Sequence, residues 1–255
     1  MKLPDRTRYT LAAAIFATAL ATSASLVEAA NPDPFSDDQK NTLNRLIRDY
    51  IIQHPEVIMK SLQAMQEREQ LAKDRQRASR IVALSDAIKH DPNDPVIGNP
   101  DGNVTLVEFF DYQCGYCKRM LEPLINFARA DGNIRIVLKE YPILGPESIV
   151  AARASLAAQK QGKYEVFHTA LMGIRGRLSE ATIFQAALEV GLDPQKLQKD
   201  MIQPDVLGQI QKTRELGRAL SIHGTPAFVI DDRIIPGAIG PEQLKELVEN
   251  ARSNG

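Results

Sequence analysis

Only two cysteines occur in the 255-residue chain, and they stand two residues apart in Phe109-Phe110-Asp111-Tyr112-Gln113-Cys114-Gly115-Tyr116-Cys117. This run follows Val104-Thr105-Leu106-Val107-Glu108, whose β-branched and apolar residues read as a strand. The strand, Val104 to Phe110, is apolar on both faces apart from Glu108, as a sheet covered by helices requires. A dithiol at a strand-to-helix turn closes with little backbone movement. At the first helical turn a sulfur also meets unpaired N–H donors and the positive end of the helix dipole. Both favour the thiolate, which is the form that attacks disulfides. Cys114, nearer the helix start, reads as the nucleophile, and Cys117, one turn deeper, as the resolving thiol.

Zinc sites use the same CxxC unit, but tetrahedral zinc takes four ligands. There is no second CxxC or paired-histidine motif, and His54, His90, His168 and His223 are scattered singly. The expectation is no metal site and no cofactor. A structural disulfide is the blander reading, and a two-residue spacer makes it a poor staple because little loop entropy is removed.

Lys2, Arg6 and Arg8 precede an uncharged apolar stretch at 11–20, and Val27-Glu28-Ala29 offers small residues for cleavage. Residues 1–29 therefore read as a signal peptide cleaved near Ala29. The apolar stretch is short of the about 20 residues a membrane span needs. A periplasmic protein is expected, in a compartment where disulfides persist. Removing Lys2, Arg6, Arg8, Asp5 and Glu28 takes the net charge from −1 to −2. Near neutrality argues against a nucleic-acid partner.

Asn31-Pro32-Asp33-Pro34 reads as a linker, followed by a helix carrying Leu43, Leu46, Ile47, Tyr50 and Ile51 on one face. Pro55 suits the start of a second helix that runs to Ile88 across a charged middle, spanning roughly 50 Å at 1.5 Å per residue. Residues 31–90 then form a helical arm, either a solvated spacer or an oligomerisation device. Turn-rich Asp91-Pro92-Asn93-Asp94-Pro95 ends it. Beyond come the first strand, a helix from Cys114 to about residue 130 with Pro123 expected to kink it, and a second strand at 134–139, together a βαβ unit. Residues 146–220 read as a helical insertion, with helices at 150–158, 164–172, 179–190 and 194–220. A hairpin around Asp231-Asp232 and a helix from Pro241 close the chain.

This order, anchored by the CxxC run and by Gly224-Thr225-Pro226-Ala227-Phe228, resembles a thioredoxin fold with the inserted helical domain of the DsbA family of exported thiol-disulfide oxidoreductases. The resemblance covers residues 91–252. A helical arm of this length is similar to that of the oligomeric ScsC-like, isomerase-like branch. The expected class is α/β: a thioredoxin fold with an inserted helical domain, preceded by the arm. The resemblance implies that Cys114 attacks, that Cys117 resolves, and that Pro226 is a cis-proline against the dithiol, preceded by Thr225. Gly115 and Tyr116 join Thr225 and Pro226 as expected substrate contacts.

Glu108 corresponds to the acidic residue beneath the active site of thioredoxin-like proteins, with proton acceptance from Cys117 as its expected role. Its alternatives are a solvent-facing strand edge or a structural pair with Lys139. Strongly oxidising DsbA proteins carry Pro-His where this chain has Gly115-Tyr116, and a tyrosine cannot supply positive charge to the thiolate. Less thiolate stabilisation moves such a pair towards isomerase or reductase behaviour. Expected partners are unfolded or misbridged exported proteins, a membrane redox partner, and copies of the chain itself, a trimer being one option, through residues 36–90. The rival reading is a binding protein that holds Cu(I) between the two thiolates or chaperones clients.

Overall fold

The computed structural model describes residues 34–254. The expected signal peptide, its cleavage site and residues 31–33 of the linker lie outside the described residues.

The first helix, α1 (Asp37–Gln53), opens on a capping box: Ser36 Oγ accepts from the Gln39 N–H, and the Gln39 side chain accepts from the Ser36 N–H. It ends at His54, ahead of Pro55. No residue of α1 is buried, and its apolar residues, among them Leu46, Ile47, Tyr50 and Ile52, are exposed. The next helix, α2 (Glu56–Ala83), begins the same way, with Ile58, Met59 and Leu62 exposed. The single helix expected to reach Ile88 is instead two. A break at Leu84 separates α2 from α3 (Ser85–Lys89), where Ser85 and Asp86 suit a new first turn.

Five strands form one sheet in the order β1-β3-β2-β4-β5: β1 (Val96–Gly98), β2 (Val104–Phe110), β3 (Ile134–Glu140), β4 (Ala227–Ile230) and β5 (Arg233–Pro236). Strand β1 was not foreseen, since three residues carry no readable period. Strands β2 and β3 are parallel and are joined by α4 (Gly115–Asp131), while the other pairings are antiparallel. Helix α4 continues through Pro123 and ends at Gly132, whose φ of 76° is the left-handed cap that glycine adopts freely.

Strand β2 is paired along both edges, so alternation sends Leu106, Glu108 and Phe110 to one covered face and Val107 and Phe109 to the other. The first face packs under α4, all but the last helix of the insertion, and the terminal helix α10 (Pro241–Asn254). The insertion comprises α5 (Pro146–Gln159), α6 (Tyr164–Gly173), α7 (Glu180–Glu189), α8 (Pro194–Asp200) and α9 (Pro204–Ala219). The helix expected over 194–220 is divided because Pro204 takes a first-turn position, where its missing N–H costs nothing. On the second face, Leu216 and Leu220 from α9 and its end join Ile81 of α2 and Ile88 of α3. The last turns of the segment read as an arm therefore belong to the core.

Candidate active site

Cys114 caps α4, and its Sγ accepts the Cys117 N–H at 3.3 Å. On its other side the thiol donates to the Thr225 carbonyl at 3.1 Å, across 111 residues of sequence. Both cysteines are reduced, and they are 6% and 1% exposed, in the order the helix geometry predicts. Cys114 sits just under the surface, beside the exposed Gly115 and Tyr116. Its pKa is lowered to about 5, first by the Cys117 S–H, against the opposing effect of burial, and further by the Thr225 side chain and the N–H groups of Cys117 and Tyr116. The Thr225 hydroxyl still falls short of hydrogen-bond geometry, leaving Oγ1 a buried atom without a partner. Burial, then the neighbouring Cys114 sulfur and Glu108, push the Cys117 thiol far above its ordinary value. One sulfur is poised as an anion and the other holds its proton.

The absence of histidine between the cysteines therefore does not leave Cys114 without thiolate stabilisation, because the Cys117 S–H supplies the largest share of it and the Thr225 side chain and backbone donors at the helix start add to it. Tyr116 is 60% exposed, and the Arg119 guanidinium lies 4.3 Å from its ring centroid.

Glu108 lies on central β2, opposite Leu138 on one side and Phe228 on the other, so it is not at a strand edge. It has no hydrogen bond or ion pair among the described residues. Burial, with a smaller effect from the Cys114 charge, raises its pKa to about 8. Lys139 is not its partner: the Lys139 ammonium pairs with Asp94 and donates to the Ala87 carbonyl.

The Thr225–Pro226 peptide bond is cis. Beside it, Arg77, Leu220, Ile222, His223, Ile234 and Pro236 line a cavity of about 300 Å3. On the other flank of Cys114 a groove of about 730 Å3 is lined by residues including Gln113, Gly115, Lys118, Arg119 and Met172. The structure thus brings together Cys114, Cys117, Thr225 and Pro226, with Gly115 and Tyr116 at the rim and Glu108 beneath. The reading from sequence assigned no role to Asp111 or Tyr112. Both are buried, and each is the centre of a hydrogen-bond cluster that reaches the insertion. A charged residue and a phenol directly before a CxxC, at the end of a covered strand, were the available signal.

A sheet of this order with a dithiol at the head of the crossover helix, faced by a cis Thr-Pro, defines a thioredoxin-fold protein of the thiol-disulfide oxidoreductase class. The chain belongs to the DSBA-like thioredoxin domain family, whose model matches residues 105–249, more than half of its length. Residues 39–72 match the copper resistance protein ScsC N-terminal domain. Among solved structures, the chain is similar to a thioredoxin-like oxidoreductase from Silicibacter pomeroyi DSS-3, at 48% identity and TM-score 0.65, covering 66% of this chain and 97% of that one. It is also similar to a linker-deletion mutant of Proteus mirabilis ScsC, at 28% identity and TM-score 0.65, covering 88% and 100%. Among curated proteins it matches the Na(+)/H(+) antiporter NhaA of Herminiimonas arsenicoxydans, 28% identical over 166 residues, 63% of this chain and 27% of that protein. The chain spans about a quarter of the length of such relatives. No helix among the described residues is long and apolar enough to cross a membrane.

Proposed function

We propose that this protein exchanges disulfides with client proteins in the periplasm. The Cys114 thiolate attacks one sulfur of a client disulfide, a mixed disulfide forms, and the other client sulfur leaves and takes up a proton. Cys117 then gives its proton to Glu108 and attacks Cys114, closing the Cys114–Cys117 disulfide and releasing the second client sulfur. The ionised form of Glu108 is the acceptor, and with a pKa near 8 it is a stronger base towards a thiol than an ordinary carboxylate. Run in reverse, the steps oxidise a client dithiol, and release without net electron transfer reshuffles bridges. The single observation that carries this reading is Cys114, at the N-cap of α4 and facing Thr225, with its pKa lowered to about 5.

Thr225 and Pro226 offer backbone groups to an extended client strand, and Gly115 and Tyr116 form the approach. The exposed apolar residues of α1 and early α2 support assembly of several copies through residues 36–90, which places several dithiols around one client and favours isomerase action. A membrane redox partner resets the pair. Cys114→Ala is expected to abolish insulin reduction and reactivation of scrambled ribonuclease, and undiminished activity in that variant would exclude the mechanism.

A second reading, in which the two thiolates hold Cu(I), is favoured by the match of residues 39–72 to a copper resistance protein domain. Metal content of the reduced protein after loading with Cu(I) separates the two, since exchange requires none.

A further inference from the structure

Three residues, Asp111, Tyr112 and Gln113, separate the end of β2 from Cys114, and all three are tied to elements beyond the thioredoxin sheet. The ties form two clusters, neither of which contains a sulfur. The Asp111 carboxylate is the centre of the first. Its Oδ1 accepts from the Gln113 N–H at 2.8 Å and from the Ser148 hydroxyl at 2.7 Å, and its Oδ2 accepts from the N–H groups of Ile143 and Leu144 at 2.8 and 2.9 Å. Ser148, in the first turn of α5, also accepts from the Gln113 side-chain amide at 2.9 Å.

The Tyr112 hydroxyl is the centre of the second. It stands 3.0 Å from Glu140 Oε1, 2.7 Å from Ser155 Oγ on α5 and 2.9 Å from His168 Nδ1 on α6. The Tyr164 hydroxyl donates to the same Glu140 oxygen at 2.8 Å. All five side chains are buried. A phenol has one proton to give, so donation to Glu140 leaves Ser155 and the Nδ1–H of His168 as donors to Tyr112. That assignment makes His168 a neutral Nδ1–H tautomer, in keeping with the burial that pulls its pKa to about 3. Phe110, Tyr112 and Tyr164 surround the imidazole with their rings.

Apolar packing alone would hold α5 and α6 to the sheet. Directional bonds that must all be made together specify one arrangement, because each buried group left unpaired keeps the full cost of its lost hydration. Here the arrangement specified is that of the loop presenting Cys114. We propose that Asp111 and Tyr112 are positioning residues, through which the helical insertion holds the Cys114 sulfur between the Cys117 N–H and Thr225. The inference rests on the exchange chemistry above and adds to it a role for the insertion. A loosened loop lets the sulfur drift from donors that act only at short range, and the thiolate loses their support.

The test uses full-length Tyr112→Phe, which keeps the ring, and Ser148→Ala, which takes one hydroxyl from the insertion side. Three quantities are read: the pH profile of Cys114 alkylation by iodoacetamide, the equilibrium constant with glutathione, and the thermal midpoint of the oxidised protein. The alkylation midpoint is expected to rise by about half to one unit and the pair to become less oxidising by about three- to tenfold. A variant that folds with both thiol readouts at the wild-type value, whatever its thermal midpoint, overturns the proposal. If Tyr112→Phe does not fold, Ser148→Ala decides by the same criterion. Wild-type protein inert towards glutathione strikes at the exchange reading itself. An active wild type with indistinguishable variants defeats only the positioning role.

Discussion

Glu108 and Lys139 occupy neighbouring central strands yet face opposite sides of the sheet. Lys139 is in register with Phe109, and Glu108 with Leu138. The lysine therefore meets Asp94 beneath the second face, and the carboxyl is left beneath the dithiol with no cation paired to it among the described residues. A buried carboxyl without a cation holds its proton to unusually high pH, so the fraction that is ionised near neutrality is a stronger base than an ordinary carboxylate, and that ionised form is the one able to accept from Cys117.

Glu108→Gln removes that acceptor and keeps the shape. Attack by Cys114 is expected to proceed at nearly the wild-type rate, while release of the mixed disulfide slows by tenfold or more, toward the about 10² lower end of general-base contributions. Stopped-flow mixing with a model disulfide peptide, with trapping of the intermediate, checks this. Equal release rates in variant and wild type would leave Glu108 a structural residue.

Stability of the oxidised protein should fall as pH rises from about 6.5 to 8. Burial raises the folded pKa of Glu140 to about 8 and raises that of Glu108 as well, with or without the Cys114 charge, so over this range the unfolded chain has lost protons that the folded chain keeps. Their contribution is complete below the ordinary carboxyl value and is lost as pH rises through 8. His168, lowered to about 3, acts in the opposite sense at lower pH and is spent above its ordinary value of 6.5. Urea unfolding midpoints at several pH values would show a decline on the order of 2 kcal/mol, and a flat profile would contradict the raised values.

In the reduced protein the thiols contribute as well, and between pH 5 and 9 the one that matters is Cys114. Cys114, lowered to about 5, stabilises the folded thiolate form above the ordinary thiol value and loses that contribution as pH falls through 5. The stability gap between reduced and oxidised protein should therefore shift toward the reduced form as pH rises from 5 to 9. Parallel unfolding curves for the two redox states measure it, and a gap independent of pH would refute an anionic Cys114.

Asp94→Ala strands the buried Lys139 ammonium, since its remaining contacts are uncharged or distant. A loss of about 3–5 kcal/mol is expected. The double variant Asp94→Leu with Lys139→Met should recover most of it. Denaturant unfolding of the three proteins would decide, and a single variant as stable as wild type would show that water reaches the pair.

Deleting residues 36–62 should convert an oligomer to a monomer, read by light scattering, while leaving the glutathione equilibrium unchanged and lowering ribonuclease reactivation. A deletion to residue 90 would be uninformative, because it would strip Ile81 and Ile88 from the core. Unchanged mass after the shorter deletion would remove α1 and early α2 from assembly.

Local chemistry made the centre of the site legible in the chain. A strand of β-branched residues, a CxxC turn and a Thr-Pro are short-range signals, and the strand boundaries of β2 agree with them to the residue. Helix breaks at Leu84 and before Pro204 were harder, since periodicity continues across a break even when the hydrogen-bond ladder does not.

What the amino-acid order determined by itself was a nucleophilic sulfur at a helix start, because that depends on neighbours a few residues away. Whether Glu108 would face a lysine or stand alone depended on strand register and the sidedness of the sheet. Asp111 and Tyr112 gained their partners only when α5 and α6 folded back over the end of β2. Thr225 reached Cys114 from 111 positions downstream. Hydrogen bonds and desolvation act over a few ångströms of space, and only the packed chain brings such distant residues within that range.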